Sequence, residues 1–252
     1  RCTHGGRRGW KETLKKRERP RVLVVGGHDN NGLISSMELY DPAENAWEAV
    51  APMPSARRYA GTAVLDGKLF AVGGLTVAGD ATSNLVERYD FAARSWEVAA
   101  PTRIARDPRV AVLEGKVYAV GGFYCDETGG SDEWLSSVER YDPATNAWEA
   151  VAPMAEARQS GVAVLDGKLY AAGGMSAADH AISNLVERYD LAAKSWEAVA
   201  SMAEVREHHS VAVLDGKLYA LGGLNIDFLS SVERYDPATN AWEAVAPRGR
   251  GW

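Results

Sequence analysis

The chain has 252 residues, with 28 Lys+Arg against 34 Asp+Glu, 25 Gly, 8 Trp, 2 Cys and 46% hydrophobic residues. This ordinary globular composition excludes collagen, wholesale disorder and a disulfide-stapled scaffold. Residues 1–20 hold eight Lys/Arg and two Glu, so the net charge of −6 divides into +6 there and −12 on the remainder, and an acidic body is unsuited to a phosphate-binding groove.

The first segment, RCTHGGRRGWKETLKKRERP, reads as a basic polar linker over residues 1–20. No apolar segment follows it as a secretory signal would require, and no run approaches the eighteen apolar residues of a membrane span. Cys2 and Cys125 are isolated thiols without CxxC or Cys/His spacing, which fits a reducing compartment and argues against zinc. A cytoplasmic protein without cofactor or metal is therefore expected.

From Arg21 onward the chain repeats. An apolar run ends in a Gly-Gly doublet at Gly26-Gly27, Gly73-Gly74, Gly121-Gly122, Gly173-Gly174 and Gly222-Gly223. A Tyr-Asp pair follows each, at Tyr40, Tyr89, Tyr141, Tyr189 and Tyr235, and seven residues beyond each Tyr stands Trp47, Trp96, Trp148, Trp196 or Trp242. From Trp to the next doublet is 26, 25, 25 and 26 residues, whereas from doublet to Tyr is 13, 15, 19, 15 and 12. The length variation is confined to one connection per unit.

Within a unit, RQSGVAVLDGKLYAAGG gives two apolar strands joined by an Asp-Gly hairpin turn. LVERYD alternates as a half-buried third strand does, DPATN is a turn, and WEAVA is the fourth strand. Four antiparallel strands repeated about every 46–52 residues define a β-propeller blade. The Gly-Gly, Tyr-Asp and Trp pattern closely resembles the Kelch repeat over residues 21–247. The resemblance implies an all-β Kelch-type propeller over residues 21–252, with blade cores near 21–50, 59–99, 108–151, 160–199 and 209–245. The repeated Gly, Tyr and Trp, and the Glu-Arg before Tyr-Asp, are expected to be scaffold, because a functional residue need not recur in every unit.

Residues 135–153 and 229–247 are identical, and units two and four share a different pattern, SNLVERYD. The alternation, and a first unit starting at RVLVVGG without a strand before it, lead to the expectation of an incomplete six-bladed ring, with a closed five-bladed ring as the alternative. Unpaired edges at both ends imply self-association.

Strands a to d alternate in direction, which puts the uniform a–b and c–d turns on one rim and the variable b–c and d–a loops on the other. Variation on a constant scaffold marks a recognition face. The d–a loops offer Arg57, Arg58, Tyr59, Arg103, Arg106, Arg109, Arg158, Gln159, Arg206, His208 and His209 as partner-binding residues. Arginine forks suit carboxylates and phosphates, so an acidic or phosphorylated peptide is the expected partner, unless these Arg pair with Glu156, Glu204 or Glu207. The longest b–c loop adds Tyr124 and Trp134 among Asp126, Glu127, Asp132 and Glu133, and the others add His28, Asp29, Asn30, Asp80, Asp179, His180, Asp227 and Phe228.

Catalysis fits less well. A galactose-oxidase-like copper site needs a Tyr-Cys cross-link with two His and another Tyr, but Tyr124 and Cys125 are merely adjacent, and His208 and His209 diverge if they lie on a strand. The iron site of specifier-type Kelch proteins has Glu, Asp and His at four-residue intervals, and no His here has an Asp four residues before it. The arginine set does not exclude a sialic-acid-epimerase-like enzyme. By resemblance the chain is a non-catalytic recognition module, with substrate recognition for a cullin-based ubiquitin ligase as its leading role and actin-associated scaffolding as the alternative. The ligase role requires BTB and BACK domains, which these residues do not contain.

Overall fold

The computed structural model describes residues 21–76, 81–126, 132–177 and 181–246. The basic segment 1–20 and the loop residues Asp80, Glu127, Asp179 and His180 lie outside them.

Blade 1 has three strands among the described residues, β1 (Val22–Asp29), β2 (Gly32–Asp41) and β3 (Ala46–Val50). In blade 2 a short β4 (Arg57–Arg58) pairs with β7 (Leu75–Thr76) at the rim, while β5 (Gly61–Leu65), β6 (Lys68–Val72), β8 (Val86–Asp90) and β9 (Ser95–Ala99) form the blade. Blade 3 comprises β10 (Arg109–Leu113), β11 (Lys116–Val120), β14 (Val138–Asp142) and β15 (Ala147–Val151). Its b–c connection is a separate two-stranded hairpin of β12 (Phe123–Cys125) and β13 (Asp132–Trp134). Blade 4 comprises β16 (Arg158–Leu165), β17 (Lys168–Ser176), β18 (Ile182–Asp190) and β19 (Ser195–Val199). Blade 5 comprises β20 (Ser210–Leu214), β21 (Lys217–Leu221), β22 (Val232–Asp236) and β23 (Ala241–Val245). Neighbouring strands are antiparallel throughout, and the a–b hairpins turn at Asp66-Gly67, Glu114-Gly115, Asp166-Gly167 and Asp215-Gly216 with both φ positive, as a two-residue hairpin loop demands.

The core lies between blades. Leu65, Phe70, Val72 and Val86 of blade 2 pack on Val117, Ala119, Tyr141 and Trp148 of blade 3, and equivalent residues repeat this between blades 3 and 4 and between blades 4 and 5. Polar bonds fix the register. Trp96, Trp148, Trp196 and Trp242 donate through Nε1 to Ala51, Ala100, Ala152 and Ala200 of the preceding blade at 2.8–2.9 Å. Tyr141 and Tyr235 each donate to the Asn five residues on, at 2.8 and 2.9 Å, and that Asn accepts an N–H from the preceding blade.

The two end faces remain uncovered among the described residues. Trp47 of blade 1 is 54% exposed where Trp148 is 8%, and Leu214 of blade 5 is 58% exposed where Leu65, Leu113 and Leu165 do not exceed 7%.

Candidate functional site

The d–a and b–c loops interlock on one rim. Arg58 pairs with Leu75, the Arg158 N–H donates to Leu135 O, and Glu207 and Leu224 exchange both backbone bonds. The first Gly of each doublet is required here. At Gly73 (φ +62) and Gly121 (φ +53), a Cβ would lie 2.2 and 2.4 Å from the carbonyl oxygens of Arg106 and Arg158.

Four of the expected contact arginines are not surface residues. Arg57, Arg106, Arg158 and Arg206 are completely buried, each clamped by the Glu of the Glu-Arg-Tyr-Asp stretch in its own blade. The Arg57–Glu87, Arg106–Glu139, Arg158–Glu187 and Arg206–Glu233 pairs measure 2.7, 2.6, 2.9 and 3.0 Å. Glu156 and Glu204 are secondary partners of Arg158 and Arg206, at 3.6 and 2.8 Å. Burial pulls the pKa of Arg57, Arg106 and Arg158 down, and the neighbouring carboxylates oppose this. The clamp also ties loops together: Arg106 Nη1 donates to Gly121 O (3.3 Å) and Ser137 O (2.8 Å), while Glu139 accepts the N–H groups of Arg103 (2.7 Å) and Ile104 (3.3 Å). A docked partner cannot reach these guanidinium groups in this geometry.

His209 is also withdrawn from the surface. Its ring packs beside Gly161 and Gly173, where an added Cβ would come within 2.9 Å of it. Gln159 donates to Asp107 Oδ2 at 2.7 Å.

The remaining candidates reach the surface. Tyr59 (56% exposed) and His208 occupy left-handed backbone at φ 58 and 51, away from the hairpin and c–d turns that hold the other non-glycine residues of positive φ. Each is one extra residue between the buried Arg and the inner strand: four steps separate Arg57 from Gly61 and Arg206 from Ser210, against three from Arg106 to Arg109 and from Arg158 to Gly161. Large side chains held out in a disfavoured conformation are characteristic of functional positions. Arg58 stacks over the Tyr59 ring at 5.3 Å, Arg103 is exposed and Arg109 half-buried.

Tyr124 and Trp134 lie together. They line an open groove of about 390 Å³ with Ile104, Glu133, Leu135, Ser136, Ser137 and Ala157, all eight from b–c and d–a loops of the same rim. The hairpin that carries them is held in place by Phe123 stacking on Trp134 (centroids 4.8 Å apart) and by Thr82 of blade 2, whose N–H donates to Cys125 O at 3.0 Å. Asp107, which sequence reasoning missed, anchors its base by accepting the Phe123 N–H.

Burial pushes the Asp107 carboxyl up to about 6, partly offset by its hydrogen bonds and the Arg109 charge. Burial, with the charges of Arg206 and Arg109, pulls His209 down to about 4. Asp107 starts from 3.8 when unfolded, so its contribution is full below that pH and lost as pH rises to about 6. His209 starts from 6.5, so its contribution is full above that pH and lost as pH falls to about 4. Each shift of about 2 units corresponds to about 3 kcal/mol, with opposite slopes over a shared window. Urea titrations between pH 4 and 6.5 are expected to show nearly cancelling slopes in the native chain. Asp107→Asn should lose stability on acidification through that window more steeply than native, and His209→Gln should gain it. Parallel curves for all three proteins would show that neither group titrates as described.

Blades with a constant turn rim and a loop rim bearing a formed groove define a β-propeller with one differentiated face. The Kelch motif model matches residues 20–54, 56–103, 105–155, 157–203 and 206–249, and the chain belongs to the Kelch-repeat family. It is similar to Kelch-like protein 36 of Rattus norvegicus, 34% identical over 175 residues that make up 66% of this chain and 27% of that protein. It is also similar to Kelch-like protein 35 of Mus musculus (28% over 165 residues, 65% and 27%) and Kelch-like protein 26 of Danio rerio (31% over 169 residues, 66% and 27%). The matched stretch spans about a quarter of each relative's length.

Proposed function

We propose that this chain is a non-catalytic, cytoplasmic recognition module that takes a peptide or loop of a protein partner on the b–c/d–a rim. In a larger protein, that partner is the substrate of a cullin-based ubiquitin ligase. The observation that carries the reading is the blade-3 groove, whose lining comes from the b–c and d–a loops of that rim. The similarity to Kelch-like proteins supports the same class. An acidic or phosphorylated segment remains the class suited to Arg58, Arg103 and Arg109, now without the help of the four clamped arginines. The uncovered end faces are a second surface, suited to self-association.

Selection of binders from a displayed random-peptide library on the immobilised chain tests the choice of rim. Selected peptides should lose at least about tenfold in affinity to Trp134→Ala or Tyr59→Ser proteins, and be unaffected by Ala144→Arg or Ala192→Arg on the turn rim. Binders sensitive only to the turn-rim changes would overturn the assignment.

A further inference from the structure

Blades 3 and 5 contain the same nineteen residues at 135–153 and 229–247, so differences between their rims come from the loops that approach them. In blade 5, Glu204 stands two residues before the clamped Arg206. Its carboxylate accepts from the Ser231 hydroxyl and from Arg206 Nη2 (2.8 Å), and Arg206 Nη2 also donates to Ser231 Oγ (2.8 Å). The rim of blade 5 is closed by its own acidic side chain. In blade 3 the position two before the clamped Arg106 is Ile104. The carboxylate is missing there, and the hydroxyl of Ser137, the counterpart of Ser231, is buried without a hydrogen-bond partner. Ile104, Ser137 and Leu135 line the groove, together with Tyr124, Trp134 and the Glu133 carboxylate. The groove thus lies where the polar plug of blade 5 is replaced in blade 3 by an apolar wall.

Given the reading of this rim as a recognition surface, we infer that the groove holds an extended partner segment presenting one aromatic or branched aliphatic side chain between Ile104 and Trp134, with a Lys or Arg beside it against Glu133. The apolar wall selects the first side chain, since Ile104 is exposed and Tyr124 and Trp134, the latter packed on one side by Phe123, are only partly covered where they line the groove. Glu133 is exposed and is the charged residue of the lining, so it selects a cation next to the anchor and disfavours an anion. This charge preference is opposite to the one assigned to Arg58, Arg103 and Arg109, so the groove and the rest of the rim meet different parts of a partner. A carboxylate at position 104 would restore the blade-5 arrangement and close the groove from within.

The test uses the full chain and fluorescein-labelled, end-capped octapeptides of Gly and Ser carrying a central Trp-Lys, Trp-Glu or Ser-Lys pair, read by anisotropy up to millimolar peptide. Trp-Lys should bind at least about tenfold tighter than Ser-Lys and severalfold tighter than Trp-Glu. Ile104→Glu should abolish Trp-Lys binding while leaving the melting temperature unchanged or raised, and Glu204→Ala should leave binding as it was. Should Ile104→Glu fail to fold, Ala157→Trp fills the groove from the opposite loop and is expected to have the same effect. No Trp-Lys binding at millimolar peptide, tighter binding of Trp-Glu, or binding that survives Ile104→Glu overturns the inference. If library-selected binders still lose affinity to Tyr59→Ser but ignore Ile104→Glu, the rim remains the recognition surface and only the groove assignment falls.

Discussion

Replacing Arg106 by Met should cost about 3–5 kcal/mol of folding stability, the range for leaving a buried charge without its partner. The Glu139 carboxylate is buried and would keep only the N–H groups of Arg103 and Ile104, while the carbonyls of Gly121 and Ser137 would lose a donor. Domain stabilities are commonly about 5–15 kcal/mol, so the variant should be partly unfolded at modest urea concentrations. Glu139→Gln should also cost stability, because it leaves the buried Arg106 guanidinium without a counter-charge and turns one of the two oxygens that accept from Arg103 and Ile104 into a donor. The pair Arg140–Glu149 is the control: it is partly open to solvent, and Arg140→Ala should change stability by about 0–1 kcal/mol. Equilibrium urea unfolding of the three variants decides the matter, and a loss below about 1 kcal/mol for Arg106→Met would show that the clamp is dispensable. Because Arg106 fixes Ser137 and Glu139 fixes Ile104, the same substitution should loosen the groove, which makes Arg106 a positioning residue and not a contact.

The blades were legible in the sequence because each blade depends on local signals: Asp-Gly where a hairpin needs two positive φ values, alternation in Val-Glu-Arg-Tyr-Asp, and a doublet pressed against the next loop's backbone. The three strands described in the first blade were legible for the same reason. The arginines misled because their partners lie 27–33 residues away, beyond any local pattern. A signal was nevertheless present. An Arg occurs in every d–a loop and a Glu in every third strand, and the rule that assigns recurrent Tyr and Trp to the scaffold applies equally to them. Asp107 and the groove were not legible, since the lining draws on three loops whose approach is set by inter-blade packing. The insertions at Tyr59 and His208 become visible only once the buried Arg and the inner strand are aligned between units.

Position-matched leucines measure how far the end faces differ from the joints between blades. Leu165→Ala removes a side chain packed between blades 4 and 5 and should cost about 2–5 kcal/mol, as cavity-forming substitutions do. Leu214 holds the same place in blade 5 but is exposed among the described residues, so Leu214→Ala should fall within about 0.5 kcal/mol of the native chain. Equal losses would mean that the end face is covered in solution. The same geometry bears on association. Blade 5 leaves Leu214 and Leu221 of its strands exposed and blade 1 leaves Val22, Val24 and Trp47, surfaces that water disfavours and that sheet edges extend. Sedimentation velocity should therefore show mass increasing with concentration, and the increase should weaken in a Leu214→Lys variant whose monomer stability is unchanged. A discrete dimer in place of an open series would favour two end faces meeting each other.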